Sequence, residues 1–153
     1  SYNLKGYKIM NNKSFLAFLL IFAFSAIFAG DKALVFSHKD KSIQWGVCPD
    51  FIPKGCEIAI LKGDPAKNNL DIFFKVPGDF HIPLHKHTSQ ERMVLVSGTL
   101  DITYDNHKKS TIQVGEYAFG PAQLPHTAYC HKGNDCVLYI GFVAPLDAMP
   151  ITR

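Results

Sequence analysis

From Ala33 onward the chain alternates short apolar runs with polar breaks, and no helical period continues for more than one turn. Segment 99–104 shows the pattern clearly, because Leu100, Ile102 and Tyr104 share one face while Thr or Asp lies between them. Gly, Pro, Asn and Asp separate such runs. We therefore predict ten strands, at Ile43–Val47, Glu57–Leu61, Leu70–Val76, Phe80–Leu84, Arg92–Val96, Thr99–Tyr104, Thr111–Val114, Glu116–Gly120, Thr127–Cys130 and Val137–Phe142. Ten short strands in about 120 residues favour an all-β sandwich or closed barrel.

The first thirty residues have a different pattern, which is typical of a secretory signal. Met10 begins a short positive region that ends at Lys13, and the next 17 residues carry no charge. Small residues then precede Asp31, so we predict a signal peptide over residues 10–29, cleaved after Ala29. The alternative is an uncleaved membrane anchor. We interpret residues 1–9 as an upstream extension outside the fold, and residues 30–153 as one domain that is periplasmic or secreted.

Composition and charge restrict the class of protein further. The chain has 153 residues and is 47% hydrophobic, which suits one folded domain and is too apolar for a disordered protein. Its formal net charge of +3 comes from Lys5, Lys8 and Lys13, because from Gly30 onward 13 basic residues balance 13 acidic ones. A domain without net charge lacks the positive surface that binds a polyanion, so we expect no nucleic-acid partner.

Four cysteines follow the predicted signal peptide, and export would place them in an oxidising compartment. The local pairing, Cys48 with Cys56 and Cys130 with Cys136, is favoured by its short loops, although three pairings are formally possible. Four reduced, buried thiols are the alternative. No two cysteines are separated by just two residues, so the sequence does not indicate an all-cysteine zinc site.

Three histidines and one glutamate lie within 42 residues and form the candidate site. His85 and His87 project to the same face if they lie on one strand. Glu91 follows a turn-like segment at the start of the next strand, and His126 begins a later one. Three imidazoles and a carboxylate suit a transition metal and are a poor set for Ca or Mg. Each residue alone is more often a surface or satisfied core residue than a ligand.

Two motifs around these residues resemble those of the cupin superfamily. The first is GDFHIPLHKHTSQERMVLVSG, from Gly78 to Gly98, with a spacer of six residues before the first histidine where five is usual. The second is GEYAFGPAQLPHTAYC, from Gly115 to Cys130. Gln123 replaces a turn glycine of this motif, and Cys130 replaces a terminal asparagine that is not a ligand in the family.

The resemblance implies a single cupin-type double-stranded β-helix, or jelly-roll barrel. It is similar to small one-barrel bacterial cupins, including uncharacterised ones and the cupin domain of anti-sigma factors. By resemblance, His85, His87, Glu91 and His126 would hold one divalent transition metal, which is Zn, Fe, Mn or Cu. A homodimer is expected on the same ground, with no membrane contact after signal cleavage.

Three functions remain open at this point. The first is a metal-dependent oxidoreductase of the dioxygenase kind, acting on a small oxygen-rich substrate. The second is a non-catalytic module that binds or senses a metal or small ligand. The third is a metal-dependent isomerase or lyase, which the sequence favours less because it places no further acid or base clearly in the cavity.

Some neighbouring residues also carry expectations. We expect apolar side chains to face inward and keep water out of the cavity, among them Phe73 or Phe74, Met93, Leu95, Tyr104 and Phe119. We expect His81 at the rim, because Pro83 interrupts its strand, and His107 and His131 at the surface. The tyrosines 104, 117 and 129 are candidates for hydroxyls near the site. Trp45 belongs to an aromatic, proline-rich stretch that would line a subunit contact or plug the end of the barrel.

Overall fold

A computed structural model describes residues 32–152 of the chain. The predicted upstream extension and signal peptide, residues 1–29, therefore lie outside the described residues. The chain from Leu34 onward forms one compact unit. Within residues 32–152 there are eleven β-strands, and no helix there is long and apolar enough to cross a membrane.

The eleven strands form two antiparallel sheets. Their bounds are β1 Gly46–Val47, β2 Glu57–Lys62, β3 Leu70–Val76, β4 Phe80–Lys86, β5 Glu91–Ser97, β6 Leu100–Tyr104, β7 Ser110–Ile112, β8 Tyr117–Gly120, β9 His126–Cys130, β10 Cys136–Phe142 and β11 Met149–Pro150. One sheet has the order β1-β2-β3-β10-β5-β8, and the other has the order β11-β4-β9-β6-β7. The all-β prediction is confirmed.

The ten predicted strands are all present, but the first is shorter than expected and an eleventh was missed. Only Gly46 and Val47 pair in β1, because the residues before them pack on a sheet face as irregular chain. The missed strand β11 pairs Met149 with Lys86 and Pro150 with His85. Two residues with a proline at a sheet edge carry no alternating pattern, so the sequence had no signal for it.

The apolar side chains form two clusters on opposite faces of the six-stranded sheet. The larger cluster fills the space between the sheets and includes Leu70, Ile72, Leu95 and Leu100, which are at most 1% exposed. The smaller cluster contains Ile43, Ala59, Phe73 and Val137. Trp45 packs against this second cluster and stacks on Phe73 with 6.5 Å between ring centroids. The segment that precedes β1 therefore covers the outer face of the sheet.

A bulge in β4 sets which of its side chains face inward. Ile82 pairs with Ala128 and His85 pairs with His126, so three steps on β4 match two steps on β9. Strict alternation would place Ile82 and His85 on opposite faces, whereas the bulge leaves both buried. His81 is exposed and stacks on Tyr129, with 4.4 Å between centroids. Pro83 is thus accommodated within the strand at its irregular point.

Both locally favoured disulfides are present. Cys48 is bonded to Cys56 and Cys130 to Cys136, with Cα atoms 5.6 and 5.8 Å apart. The second bridge joins the end of β9 to the start of β10 across their connection. It also accounts for the departure at Cys130, because a cysteine there closes the turn at the position of the expected asparagine.

Candidate metal centre

The fold brings the four predicted site residues together. His85 lies on β4 and is paired directly with His126 on β9, while Glu91 opens β5 and His87 follows β4 by one residue. One ligand atom from each of the three histidines lies within 4.8 Å of the others. The four side chains are buried, with between 4% and 8% of their residue surface exposed. The predicted same-face placement of His85 and His87 is therefore observed; that the four residues hold a metal stays a prediction.

Each imidazole is oriented by a contact between its Nδ1 atom and a backbone carbonyl. Nδ1 of His85 lies 2.7 Å from the carbonyl oxygen of Pro83, and Nδ1 of His126 lies 3.1 Å from that of Leu124. Nδ1 of His87 contacts the carbonyl oxygen of Asp147. A carbonyl accepts but does not donate, so we assign the proton of each neutral ring to Nδ1. The Nε2 lone pairs are then left for the site, as in many metal-ligating histidines.

The Glu91 carboxylate meets two of these rings. Its Oε1 lies 3.3 Å from Nε2 of His87, and its Oε2 lies 3.6 Å from Nε2 of His126. With the assigned tautomers, these contacts join oxygen and nitrogen lone pairs with no hydrogen between them. Lone pairs at this distance repel unless a proton or a metal cation lies between them. The donor set therefore fits the transition metal that the sequence predicted.

Burial shifts the charge states of the site in a direction that suits a cation. Burial lowers the pKa of His85 to about 4 and that of His126 to about 3, because the charged ring is poorly solvated there. Burial also raises the pKa of Glu91, although the neighbouring His87 acts in the opposite direction. Both rings are therefore neutral and ready to donate a lone pair at neutral pH, while an ionised Glu91 lacks a matching positive charge.

Two further residues shape the site, and sequence reasoning missed their roles. Asp147 holds His87 through its carbonyl, and its side-chain Oδ1 accepts a hydrogen bond of 2.8 Å from the Thr88 amide. No local pattern indicates this contact, because Asp147 is 60 residues from His87. Gly120 leaves room for the site, since a Cβ atom there would lie 2.9 Å from both Glu91 Oε2 and the Tyr104 hydroxyl. Gly120 lies within the second motif, directly before Pro121, in the spacer where the motif specifies no residue type.

The Tyr104 hydroxyl is buried beside the site and has no hydrogen-bond partner among the described residues. Its ring lies 5.1 Å from that of His126. Burial and the nearby Glu91 carboxylate raise the pKa of Tyr104, so the hydroxyl keeps its proton at neutral pH. An unpaired buried hydroxyl is costly, and its position points to a ligand group that would accept its hydrogen bond. The sequence had named Tyr104 both as an inward residue and as a candidate hydroxyl.

The four residues line one end of a cavity of about 490 Å³ between the sheets. Phe74, Met93 and Tyr104 line it as predicted. Phe73 instead packs on the outer face, and Leu95 lies in the core away from the cavity. The prediction for Phe119 is wrong, because it is 45% exposed. Register explains this: Phe119 pairs with Arg92, and Arg92 points away from the face that Glu91 and Met93 share.

The departure from the cupin motif at Gln123 is accommodated in a left-handed backbone conformation. Gln123 has a φ of 63°, the left-handed conformation that a glycine would adopt with less strain. Its amide donates a hydrogen bond of 2.8 Å to the carbonyl of His87. The turn before β9 is therefore tied directly to the histidine pair. His107 is exposed as expected, while His131 is half-buried, with its Nε2 2.9 Å from Asp101 Oδ1.

Solved structures with the same architecture are cupins. The polyketide cyclase RemF from Streptomyces resistomycificus matches with a TM-score of 0.64 and 16% identity, over 79% of this chain and 87% of that one. A cupin 2 conserved barrel domain protein from Rhodopseudomonas palustris matches with a TM-score of 0.60 and 15% identity, over 73% of this chain and 78% of that one. The DMSP lyase DddQ from Ruegeria pomeroyi matches with a TM-score of 0.60 and 15% identity, over 72% of this chain and 61% of that one. The chain thus spans less than two thirds of that lyase.

These identities are low and establish the fold alone, so the cupin-type jelly-roll prediction is confirmed. A search of curated proteins finds no match. A family model matches residues 29–143, which include both cupin-like motifs and all four candidate ligands. With most of the chain matched and the barrel and candidate site in place, the chain belongs to the family described as a domain of unknown function, DUF4437.

Proposed function

We propose that this protein is a metal-dependent enzyme that acts on a small organic molecule at His85, His87, Glu91 and His126. One observation carries the proposal: ring nitrogens of the three carbonyl-anchored histidines lie within 4.8 Å of one another, and the Glu91 oxygens lie 3.3 and 3.6 Å from Nε2 of His87 and of His126. Imidazole and carboxylate together suit Zn, Fe, Mn or Cu. Four protein ligands also leave coordination positions for a substrate on metals that prefer five or six.

When bound, such a metal would supply a Lewis acid or a redox centre at the end of the cavity that these four residues line. The protein's own groups supply positioning around it. The carbonyl contacts fix the histidine rings, the burial of Glu91 keeps its charge unscreened, and the apolar walls exclude water. The Tyr104 hydroxyl is placed to donate a hydrogen bond to a molecule bound there.

The reaction class has two candidates. The cupin resemblance favoured a dioxygenase-like oxidoreductase, and a dry apolar cavity supports that chemistry. Tyr104 favours a metal-dependent lyase or isomerase instead, because its hydroxyl can donate a hydrogen bond to a substrate oxygen on which negative charge develops. The structural neighbours include proteins named as a lyase and as a polyketide cyclase, which supports the same choice by fold analogy only.

Metal binding is tested with a matched pair of variants. Chelated wild-type protein, His126→Ala and His131→Ala are each incubated with Zn²⁺, Mn²⁺, Fe²⁺ or Cu²⁺, desalted, and analysed for metal by elemental analysis. We expect the His131 variant to retain one metal per chain, since that histidine contacts Asp101 on the outside of the barrel. The His126 variant should lose it. Equal retention in the two variants, or no metal in the wild type, would overturn the proposal.

The reaction class is tested by screening small molecules with two loaded forms of the protein. Turnover by the zinc form under nitrogen would establish lyase or isomerase chemistry. Turnover that requires both Fe²⁺ and dioxygen, with dioxygen consumed in proportion to product, would establish the oxidoreductase. Tightly held zinc without turnover in either form would favour the non-catalytic binding module.

Export and self-association remain proposals. The two disulfides support a periplasmic or secreted location, because such bonds persist in oxidising compartments. Fractionation of host cells, with the mature N-terminus read by mass spectrometry, tests cleavage after Ala29. The expected homodimer is tested by light scattering of the purified mature protein.

A further inference from the structure

We propose that the substrate is an amphiphile, with one oxygen-bearing head that reaches the metal and an apolar body that fills the remaining cavity. This inference rests on the proposed function, because the head is defined by the metal centre. It differs from the oxygen-rich substrate class that the cupin resemblance implied. The reason is the distribution of polar groups around the cavity of about 490 Å³.

Polar side chains in the described cavity wall are confined to the metal end. They are the four candidate ligands, Tyr104, and Asp147, whose Oδ1 already accepts the Thr88 amide. The other side chains of the wall are apolar and come from both sheets, as with Ile72 and Leu138 on one and Ile82 and Ile102 on the other. A polyhydroxylated molecule would bury hydroxyls against these side chains without partners, and each such loss weakens binding.

The cavity also opens through apolar side chains. Val47 on β1 and Ile60 on β2 both line it, and they are 91% and 48% exposed. Pro49 lies in the same wall. Apolar side chains that face both water and a cavity favour the entry of an apolar body over that of a hydrated one. The segment around the mouth is held by the disulfide between Cys48 and Cys56.

The polar end determines the chemistry of the head. A metal held by three imidazoles and a carboxylate takes an oxygen ligand, and the unpartnered Tyr104 hydroxyl is placed to donate to an acceptor there. The absence of a Cβ at Gly120 keeps this hydroxyl and Glu91 side by side. A carboxylate or a carbonyl next to a hydroxyl satisfies both requirements. The chemical class is therefore a medium-sized apolar acid or oxygenated hydrocarbon.

The test uses two six-carbon acids with the same carboxylate head, hexanoate and gluconate, and the homologous series from acetate to decanoate. Binding to the zinc-loaded protein is measured by calorimetry. We expect affinity to rise about fourfold per added methylene until the cavity is filled. Hexanoate should bind at least tenfold more tightly than gluconate. Tighter binding of gluconate, or affinity independent of chain length, would overturn the inference.

A matched pair of surface variants locates the apolar body. Ile60→Gln adds a polar group at the mouth, and Val114→Gln makes the same kind of change at a residue that is 61% exposed and outside this cavity. We expect the Ile60 variant to flatten the chain-length dependence and the Val114 variant to retain it. The same loss in both, or in neither, would contradict the assigned path.

The outcomes separate this inference from the proposed function. If zinc binds and gluconate is preferred, the metal centre stands and the amphiphile inference is wrong. If the wild type binds no metal, the proposed function fails, and the chain-length series on that protein still decides whether the cavity takes an apolar body.

Discussion

Replacing Glu91 with glutamine should stabilise the metal-free protein while weakening its metal binding. Glu91 is 4% exposed, and its oxygens lie 3.3 and 3.6 Å from histidine Nε2 atoms that carry lone pairs. A glutamine amide of the same shape can donate a hydrogen to His87 or His126. Leaving a buried polar group unpaired costs about 1–3 kcal/mol, so the free energy of unfolding of the chelated variant should exceed that of the wild type by about that amount. For a domain of this size the melting temperature should rise by about 3–10 °C.

The pH dependence of this effect identifies the carboxylate as its cause. The folded-state pKa of Glu91 is raised by burial, so Glu91 favours folding below the unfolded-state pKa, and that contribution is lost as pH rises through the folded pKa. The advantage of Glu91→Gln should therefore be large at pH 8 and small at pH 4.5, where the protonated acid already resembles the amide.

The assay is thermal melting of both proteins with a chelator at each pH, followed by zinc titration at pH 8. The control is Glu57→Gln, because Glu57 forms a surface ion pair with Lys75 and lies outside the cavity. It should change stability by less than about 1 kcal/mol and leave zinc affinity unaltered. A chelated Glu91→Gln protein less stable than the wild type at pH 8 would refute the reasoning, since Glu91 would then be satisfied by the protein alone.

Three other changes test separate parts of the structure. Tyr104→Phe should leave the chelated protein at least as stable as the wild type, because the lost hydroxyl has no hydrogen-bond partner among the described residues. It should also weaken hexanoate binding to the zinc form, and a large loss of stability would reveal a hidden partner. In the Glu91→Gln background, urea denaturation should show about 5 kcal/mol lost as pH falls from 6.5 to 4. The unfolded chain protonates His85 and His126 near 6.5, whereas the folded chain protonates them only near 4 and 3; a flat profile would contradict the assigned burial effect. Replacing Cys130 and Cys136 together by serine should cost about 2 kcal/mol in the same assay, as expected for a short loop, and no loss would show that the bridge does not form in solution.

Much of the fold and the identity of the site residues were predictable from local sequence. Alternation in segments such as Leu100–Tyr104 identifies strands because a β-strand turns successive side chains to opposite faces. The same rule placed His85 and His87 together. Spacing within the two motifs selected Glu91 and His126. The short separations of the cysteines favoured the two bridges that are observed.

Positions that depend on register between strands were less predictable. Phe119 was assigned inward, yet its pairing with Arg92 turns it to solvent. His81 would share a face with His85 if β4 were regular, and the bulge opposite Ala128 separates them. A single added residue in a strand moves every later side chain to the opposite face of the sheet. The sequence of one strand alone does not specify its register with the neighbouring strand.

The sequence by itself determined ten of the eleven strands and the types of donor atom at the site, and it favoured the local disulfides, because each depends on periodicity or short spacing. Only the tertiary structure decided that Asp147 orients His87 from 60 residues away. It also left the Tyr104 hydroxyl, beside Glu91, without a hydrogen-bond partner within residues 32–152. It also decided that the cavity beyond these groups is apolar. These features arise where distant segments meet, so their physical cause is the packing of the two sheets against each other.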